Sequence, residues 1–161
     1  MENDPSSVEQ DAERLFRILF EVVQSGEKQL EALLTRHSLT TPQFYVLNTL
    51  QESDGRLSIG RIARRHGLTH ATMTGLIKRM EQMQPPLVQR EVSADDRRSV
   101  VVHLTEAGYG RFQAVQDALL AQVKLIFSLL PAGERQTLLS DLERYISMFN
   151  LVMGNANGKP G

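Results

Sequence analysis

Gly67-Leu68-Thr69 separates two short apolar-striped segments, and a joint this short forces two helices to pack across one another. The first segment is capped by Ser58, carries Ile62 and Ala63, and stops at Gly67, a residue suited to the left-handed position after a helix. The second opens with Thr69 as N-cap and places Met73, Leu76, Ile77 and Met80 on one face. Ala71, Thr74, Gly75 and Lys78 then point outward, with His70 beside them near the N-terminus. Pro85-Pro86 ends this helix. Leu87 to Glu91 and Ser99 to Leu104 read as two strands around a polar loop, Val92 to Arg98, and Val100-Val101-Val102 is β-branched. Two crossed helices followed by a hairpin make a winged helix-turn-helix.

The flanks are helical. Val8, Ala12, Leu15, Leu19, Val22, Leu30 and Leu33 recur three or four apart, which predicts a long amphipathic helix to about Arg36. Ser6 and Glu9 stand at capping-box spacing before it, and Gly26 softens its middle. After a break at His37 to Pro42, Thr40 or Thr41 caps a helix through Phe44, Leu47 and Leu50 that ends near Ser53. Asp54-Gly55 is a turn, and Leu57 is placed in a short strand. Thr105 caps a long helix carrying Phe112, Val115, Leu119, Val123, Ile126 and Leu130. Pro131 to Gly133 breaks it from a last helix with Leu138, Leu142, Tyr145, Phe149 and Val152, and a frayed tail follows from Gly154. The predicted fold is mainly α with a small β-wing: a helical region at 8–37 and 105–153, a winged helix-turn-helix at 40–104, and a tail at 154–161.

Charge sharpens this division. The 161-residue chain has a net charge of −1, yet Arg56 to Arg111 holds ten basic and five acidic residues. The remainder holds eight basic and fourteen acidic ones. A basic middle between acidic flanks suits a polyanion, although a solvated charged face has the same composition. The absence of cysteine excludes disulfides, thiolate metal sites and a thiol nucleophile. No apolar run approaches the roughly 20 residues of a membrane span, and the acidic, polar start lacks a signal-peptide pattern, so a cytoplasmic chain is expected. No phosphate-cradling glycine loop, HExxH, nucleophile elbow or metal-ligand spacing is present, which argues against an enzyme and against a resident cofactor.

In a recognition helix the outward residues near the N-terminus meet base edges and phosphates. Thr69 and Thr74 can hydrogen-bond either, His70 can donate from a ring nitrogen, and Lys78 and Arg79 suit phosphates. Gly75 costs about 1 kcal/mol relative to alanine within a helix, which implies either packing or close approach to a ligand. Asp95-Asp96-Arg97-Arg98 forms the tip of the hairpin, where an arginine can enter a narrow minor groove and Asp96 can hold it extended. Taken singly, His70 reads equally as a solvent-facing helix start, and the tip as a self-neutralising polar turn.

These stretches, LTTPQFYVLNTL, LSIGRIARRHGLTHATMTGLIKRME and LVQREVSADDRRSVVVHLTEAG, resemble the multiple antibiotic resistance regulator (MarR) family over Leu39 to Gly108. The most specific part runs from Asp96 to Gly108. The resemblance implies a homodimer on a pseudo-palindromic double-stranded operator, acting as a repressor released by a small molecule. It places Thr69, His70, Thr72 and Thr74 in the recognition helix, and Asp96 and Arg98 on the wing with Arg97 as a second candidate. Two departures stand out. Gly75 occupies a position where many members carry arginine, and Met83-Gln84-Pro85-Pro86 replaces the usual short connection to the wing.

The apolar stripes of the terminal helices fit either a bundle closed on itself or a layer shared by two chains. The family resemblance implies the second. It also implies an aromatic or phenolic effector, for which Phe16, Phe20, Phe44, Tyr45 and Tyr109 are candidate walls and Arg17 or Arg36 a candidate carboxylate partner. A DNA-binding protein without such an effector, constitutive or controlled by a protein partner, is the alternative. His37 lies where metal-sensing relatives place a ligand, but it lacks partners, so no metal site is expected.

Overall fold

A computed structural model describes residues 5–92 and 100–156. The order is α1 (Pro5–Arg36), α2 (Thr41–Gln51), β1 (Arg56–Ser58), α3 (Ile59–Arg65), α4 (His70–Glu81), β2 (Val88–Val92), β3 (Val100–Leu104), α5 (Glu106–Ser128) and α6 (Ala132–Ala156). The three strands form one antiparallel sheet in the order β1-β3-β2, with Val102 paired to Leu57 on one side and Arg90 on the other. This is the mainly helical fold with a small wing that the residue pattern predicts.

Local chemistry sets the joints. Thr40 precedes α2 with an extended backbone, and its N–H donates to Gln43 Oε1 at 2.8 Å. Asp54 and Gly55 turn the chain with φ of 52° and 76°. Gly67 leaves α3 at φ 62°, where the Leu68 N–H donates back to Ala63 at 2.9 Å. Thr69 caps α4 by accepting from the Thr72 N–H at 3.2 Å. Thr105 begins α5 with a hydroxyl that accepts from the Gly108 N–H at 3.0 Å and donates to the Pro86 carbonyl at 2.7 Å. A Cβ on Gly108 would lie 2.1 Å from the Leu87 carbonyl oxygen, so only glycine permits this approach of α5 to the wing's base.

Four boundaries differ from the sequence expectation. Helix α1 starts at Pro5, so Ser6 sits in its first turn rather than capping it, and Gly26 lies in an unbroken helix. Helix α5 ends at Ser128, leaving Leu130 in the connection, while Gly133 is already helical. Arg135 Nη1 braces the stop: it donates to the carbonyls of Phe127 (3.2 Å), which also accepts from the Leu130 N–H, and Leu130 (2.7 Å). Helix α6 continues to Ala156, past the expected start of the tail.

Two compact units divide within α5, one ending at Gln116 and the other starting at Asp117. The first contains a dense core: Leu47, Leu50, Ile62, Met73, Ile77, Met80, Leu87 and Val102 are sealed from solvent, and Phe112 and Val115 join them. Each such side chain stabilises the fold by roughly 1.5–3 kcal/mol. Thr49 is buried among them and its hydroxyl pairs with His66 Nε2 at 2.9 Å. By contrast, the first two-thirds of α1 exposes Leu15, Phe16, Leu19, Phe20, Val22 and Val23. In the second unit, Leu125, Ile126, Leu142, Tyr145, Phe149 and Leu151 are likewise exposed. Among the described residues, no helix is long and apolar enough to cross a membrane.

Candidate nucleic-acid interface

The arrangement of α3 and α4 follows from their apolar faces. Ile62 and Ala63 of α3, and Met73, Leu76, Ile77 and Met80 of α4, are all buried. What α4 turns outward is therefore fixed. Thr69, His70, Ala71, Thr72, Lys78 and Arg79 are exposed, and Thr74 and Gly75 are half-exposed. The only acid on α4 is Glu81, in its last turn. Its carboxyl is held below the usual carboxylate range, chiefly by hydrogen bonding from Arg90. The outward face of the helix is otherwise neutral or cationic.

The polar side chains are not equally free. The Thr69 and Thr72 hydroxyls lie 2.9 Å apart, and Thr69 is also occupied as the cap. Thr74 donates its hydroxyl to the His70 carbonyl at 2.8 Å and lies 3.4 Å from His70 Nδ1. His70 is exposed, and its Nε2 has no hydrogen-bond partner among the described residues. Lys78 and Arg79 make no ion pair among the described residues.

Gly75 receives a sharper reading. A Cβ there would meet only Arg79 Nη1, at an ordinary 3.9 Å. Packing within the chain therefore does not require glycine there.

Two further cations outside the predicted set are exposed on the neighbouring helix. Arg61 and Arg64 of α3 are exposed and carry no ion pair among the described residues, whereas Arg65 is neutralised by Glu52. Their signal was present in the basic run after Ile59, but the choice between Arg64 and Arg65 depends on which one α2 can reach. The wing candidates Asp96, Arg97 and Arg98 lie outside the described residues.

The predicted pocket residues are distributed over several places. Phe16 and Phe20 stack on each other with centroids 6.1 Å apart on the exposed part of α1, where Phe16 and Arg17 also border an open depression of about 430 Å³. Phe44 stacks on Phe112 at 5.5 Å and leans on Tyr45 at 6.1 Å. Tyr45 also borders a concavity of about 260 Å³ with His66, Leu68 and Met73. Tyr109 borders another depression with Gln51 and Asp54, and Arg36 is exposed at the end of α1. His37 is half-exposed, and no group of three or more potential ligands among the described residues is arranged to hold a metal.

An outward cationic helix on a buried helix-turn-helix, with an antiparallel wing beside it, defines a winged helix-turn-helix of the nucleic-acid-reading type. Residues 37–99 match the sequence profile of the MarR family. The regulator TtmR of Methylorubrum extorquens is 34% identical over 108 residues, 67% of this chain and 52% of that protein. The crystal structure of AbsC, a MarR family transcriptional regulator from Streptomyces coelicolor, superposes with a TM-score of 0.63 at 27% identity, covering 86% of this chain and 93% of AbsC. A MepR variant from S. aureus bound to an oligodeoxyribonucleotide shares the fold, with a TM-score of 0.64 at 23% identity over 83% of this chain and 97% of MepR. The chain thus carries a MarR-family winged helix-turn-helix. It spans about half to three-fifths of the length of the curated relatives it matches first.

Proposed function

We propose that this chain is a transcriptional regulator that binds double-stranded DNA through α4, with the wing in the adjacent minor groove. The observation that carries this reading is the outward face of α4: a buried apolar stripe fixes its rotation, and the exposed side offers His70, Thr72, Lys78 and Arg79 with no unpaired acid among the described residues. Thr69, Thr72 and Thr74 organise the helix start, His70 meets base edges, and Lys78 and Arg79 hold phosphates. Arg61 and Arg64 add phosphate contacts. Arg98, with Asp96 and Arg97, serves the minor groove, as the family resemblance implies. The oligonucleotide bound by MepR supports a DNA partner for this fold.

The working unit in this reading is a homodimer. The exposed apolar rows of α1 and α6 are what a second copy would cover. Two reading heads must then stand about 34 Å apart to meet successive major grooves. Repression released by an aromatic or phenolic effector is the finer proposal, and the open depression at Phe16 and Arg17 is a place where a second copy could complete a wall. Regulation without an effector is favoured instead by the separation of the Phe16–Phe20 stack, the Phe44–Tyr45 pair and Tyr109 into different surroundings.

The test is selection of random duplexes by the purified protein at near-physiological salt, followed by sequencing. An enriched inverted repeat with half-sites one helical turn apart is expected. Binding without any enriched motif contradicts sequence-specific regulation. Titration of the enriched duplex complex with salicylate then separates the two modes of control: release supports the effector reading, and no release supports the alternative.

A further inference from the structure

The Pro85-Pro86 connection leaves open how the wing is held against the recognition helix, and one carboxylate answers it. Glu81 is the last residue of α4, and Arg90 is the middle residue of β2. The Arg90 backbone N–H donates to Glu81 Oε1 at 3.1 Å. Arg90 Nε donates to Oε2 at 2.8 Å, and Nη2 lies 2.6 Å from the same oxygen. Both carboxylate oxygens are thus engaged, one by the strand's backbone and one by its side chain. Charge-assisted bonds of this kind are roughly twice as strong as neutral ones.

The position of this clamp gives it leverage. Arg90 pairs with Val102, so β2 is tied to β3 and through it to β1. Arg90 stands two residues, about 7 Å at the rise of a β-strand, from Val92, the last residue of β2. The anchor below it is independent. The Leu87 N–H donates to the Met80 carbonyl at 3.0 Å, and Met80, Leu87 and Val88 are fully buried. The Glu81 and Arg90 side chains are 28% and 35% exposed. Removing the clamp therefore leaves the buried anchor and the β2–β3 ladder in place and takes away the tie between α4 and the middle of β2.

We propose that Glu81 is a positioning residue for DNA reading: by holding the backbone and guanidinium of Arg90 together, it fixes the pose of the wing against α4. This rests on the DNA-binding reading above. It also assigns Arg90 to the frame rather than to phosphate contact, unlike Arg61, Arg64, Lys78 and Arg79. Glu81→Gln keeps the shape and one acceptor while removing the charge.

The experiment compares wild type, Glu81→Gln, Glu81→Ala, Arg98→Ala and Glu81→Gln/Arg98→Ala by fluorescence anisotropy on the selected duplex, with circular dichroism of each chain. Either Glu81 change, and Arg98→Ala, should weaken binding by roughly tenfold. In the Arg98→Ala background Glu81→Gln should add less than about twofold, because the wing contact it serves is already gone. A full tenfold loss in that background, unchanged binding by Glu81→Gln and Glu81→Ala, or unchanged binding by Arg98→Ala overturns the assignment. Should Glu81→Ala unfold, the near-isosteric Glu81→Gln decides alone. A wild-type chain that binds no duplex ends the DNA reading and this inference with it; wild-type binding with additive losses ends only the role of Glu81.

Discussion

The helix-turn-helix with its wing and the terminal helices use the same apolar residue types to different ends. In the former, Leu47, Ile62, Met73, Ile77 and Val102 are sealed within one chain. In α6, Leu142, Tyr145, Ile146 and Phe149 repeat with equal regularity and remain about half exposed or more. Periodicity alone shows that a face is apolar, but not whether the chain itself covers it. Large exposed apolar faces mark interaction surfaces. The reading head is therefore a finished module, whereas the terminal helices keep apolar faces that, in the reading proposed above, a second copy covers.

The largest expected effect attacks that second statement. Leu142→Asp would bury an unpaired carboxylate in the interface, at a cost of roughly 3–5 kcal/mol of association free energy. Sedimentation should show a monomer whose secondary structure is kept. An unchanged dimer would place α6 outside the interface. Next, Ile77→Ala should destabilise the reading head by roughly 2–5 kcal/mol through lost burial and a cavity. Read as local amide-exchange protection in α3 and α4, that loss should not depend on protein concentration. A concentration-dependent loss would mean that the head, too, is completed by a partner.

Gly75→Ala separates folding from reading at one residue. It should stabilise α4 by about 1 kcal/mol, since the new methyl meets nothing closer than Arg79. Under the DNA-binding reading it should at the same time weaken duplex binding, because the methyl would then face the groove. A variant that is both more stable and equally tight in anisotropy would remove close approach as the reason for glycine.

The smallest effect concerns His66. Burial, and then the charge of Arg65, hold its imidazole below its ordinary pKa. The unfolded chain then takes up the proton more readily than the folded one. Stability should decline as pH falls through about 6.5 toward the lowered folded value, and level off below it. His66→Gln should flatten that part of the thermal-midpoint curve, and an unaltered slope would mean that another group produces it.

Much of this comparison was legible in the residues. Gly67, Thr69 and the Met73–Met80 stripe define the helix-turn-helix, because caps and periodicity act within a few positions. The helix starts at Thr40, Ser58 and Thr105 were equally local, although the Ser58 side chain makes no capping bond to α3. The Glu81–Arg90 clamp was not legible, because its two ends meet only after the Pro85-Pro86 connection has folded. Nor were the double role of Thr105, bonded to both Pro86 and Gly108, or the stack of Phe44 on Phe112. The family resemblance implied one pocket walled by ring residues, whereas packing spread them over separate surroundings. Arg61 and Arg64 were visible as charges, but their freedom rests on Glu52 having chosen Arg65.

Sedimentation equilibrium of the purified protein with a selected duplex tests the division between finished head and shared layer most directly. Two chains per duplex, with the Leu142→Asp chain no longer binding as a pair, is the result predicted. One chain per duplex at saturation, bound as tightly as the wild type and with no self-association in free solution, would contradict it.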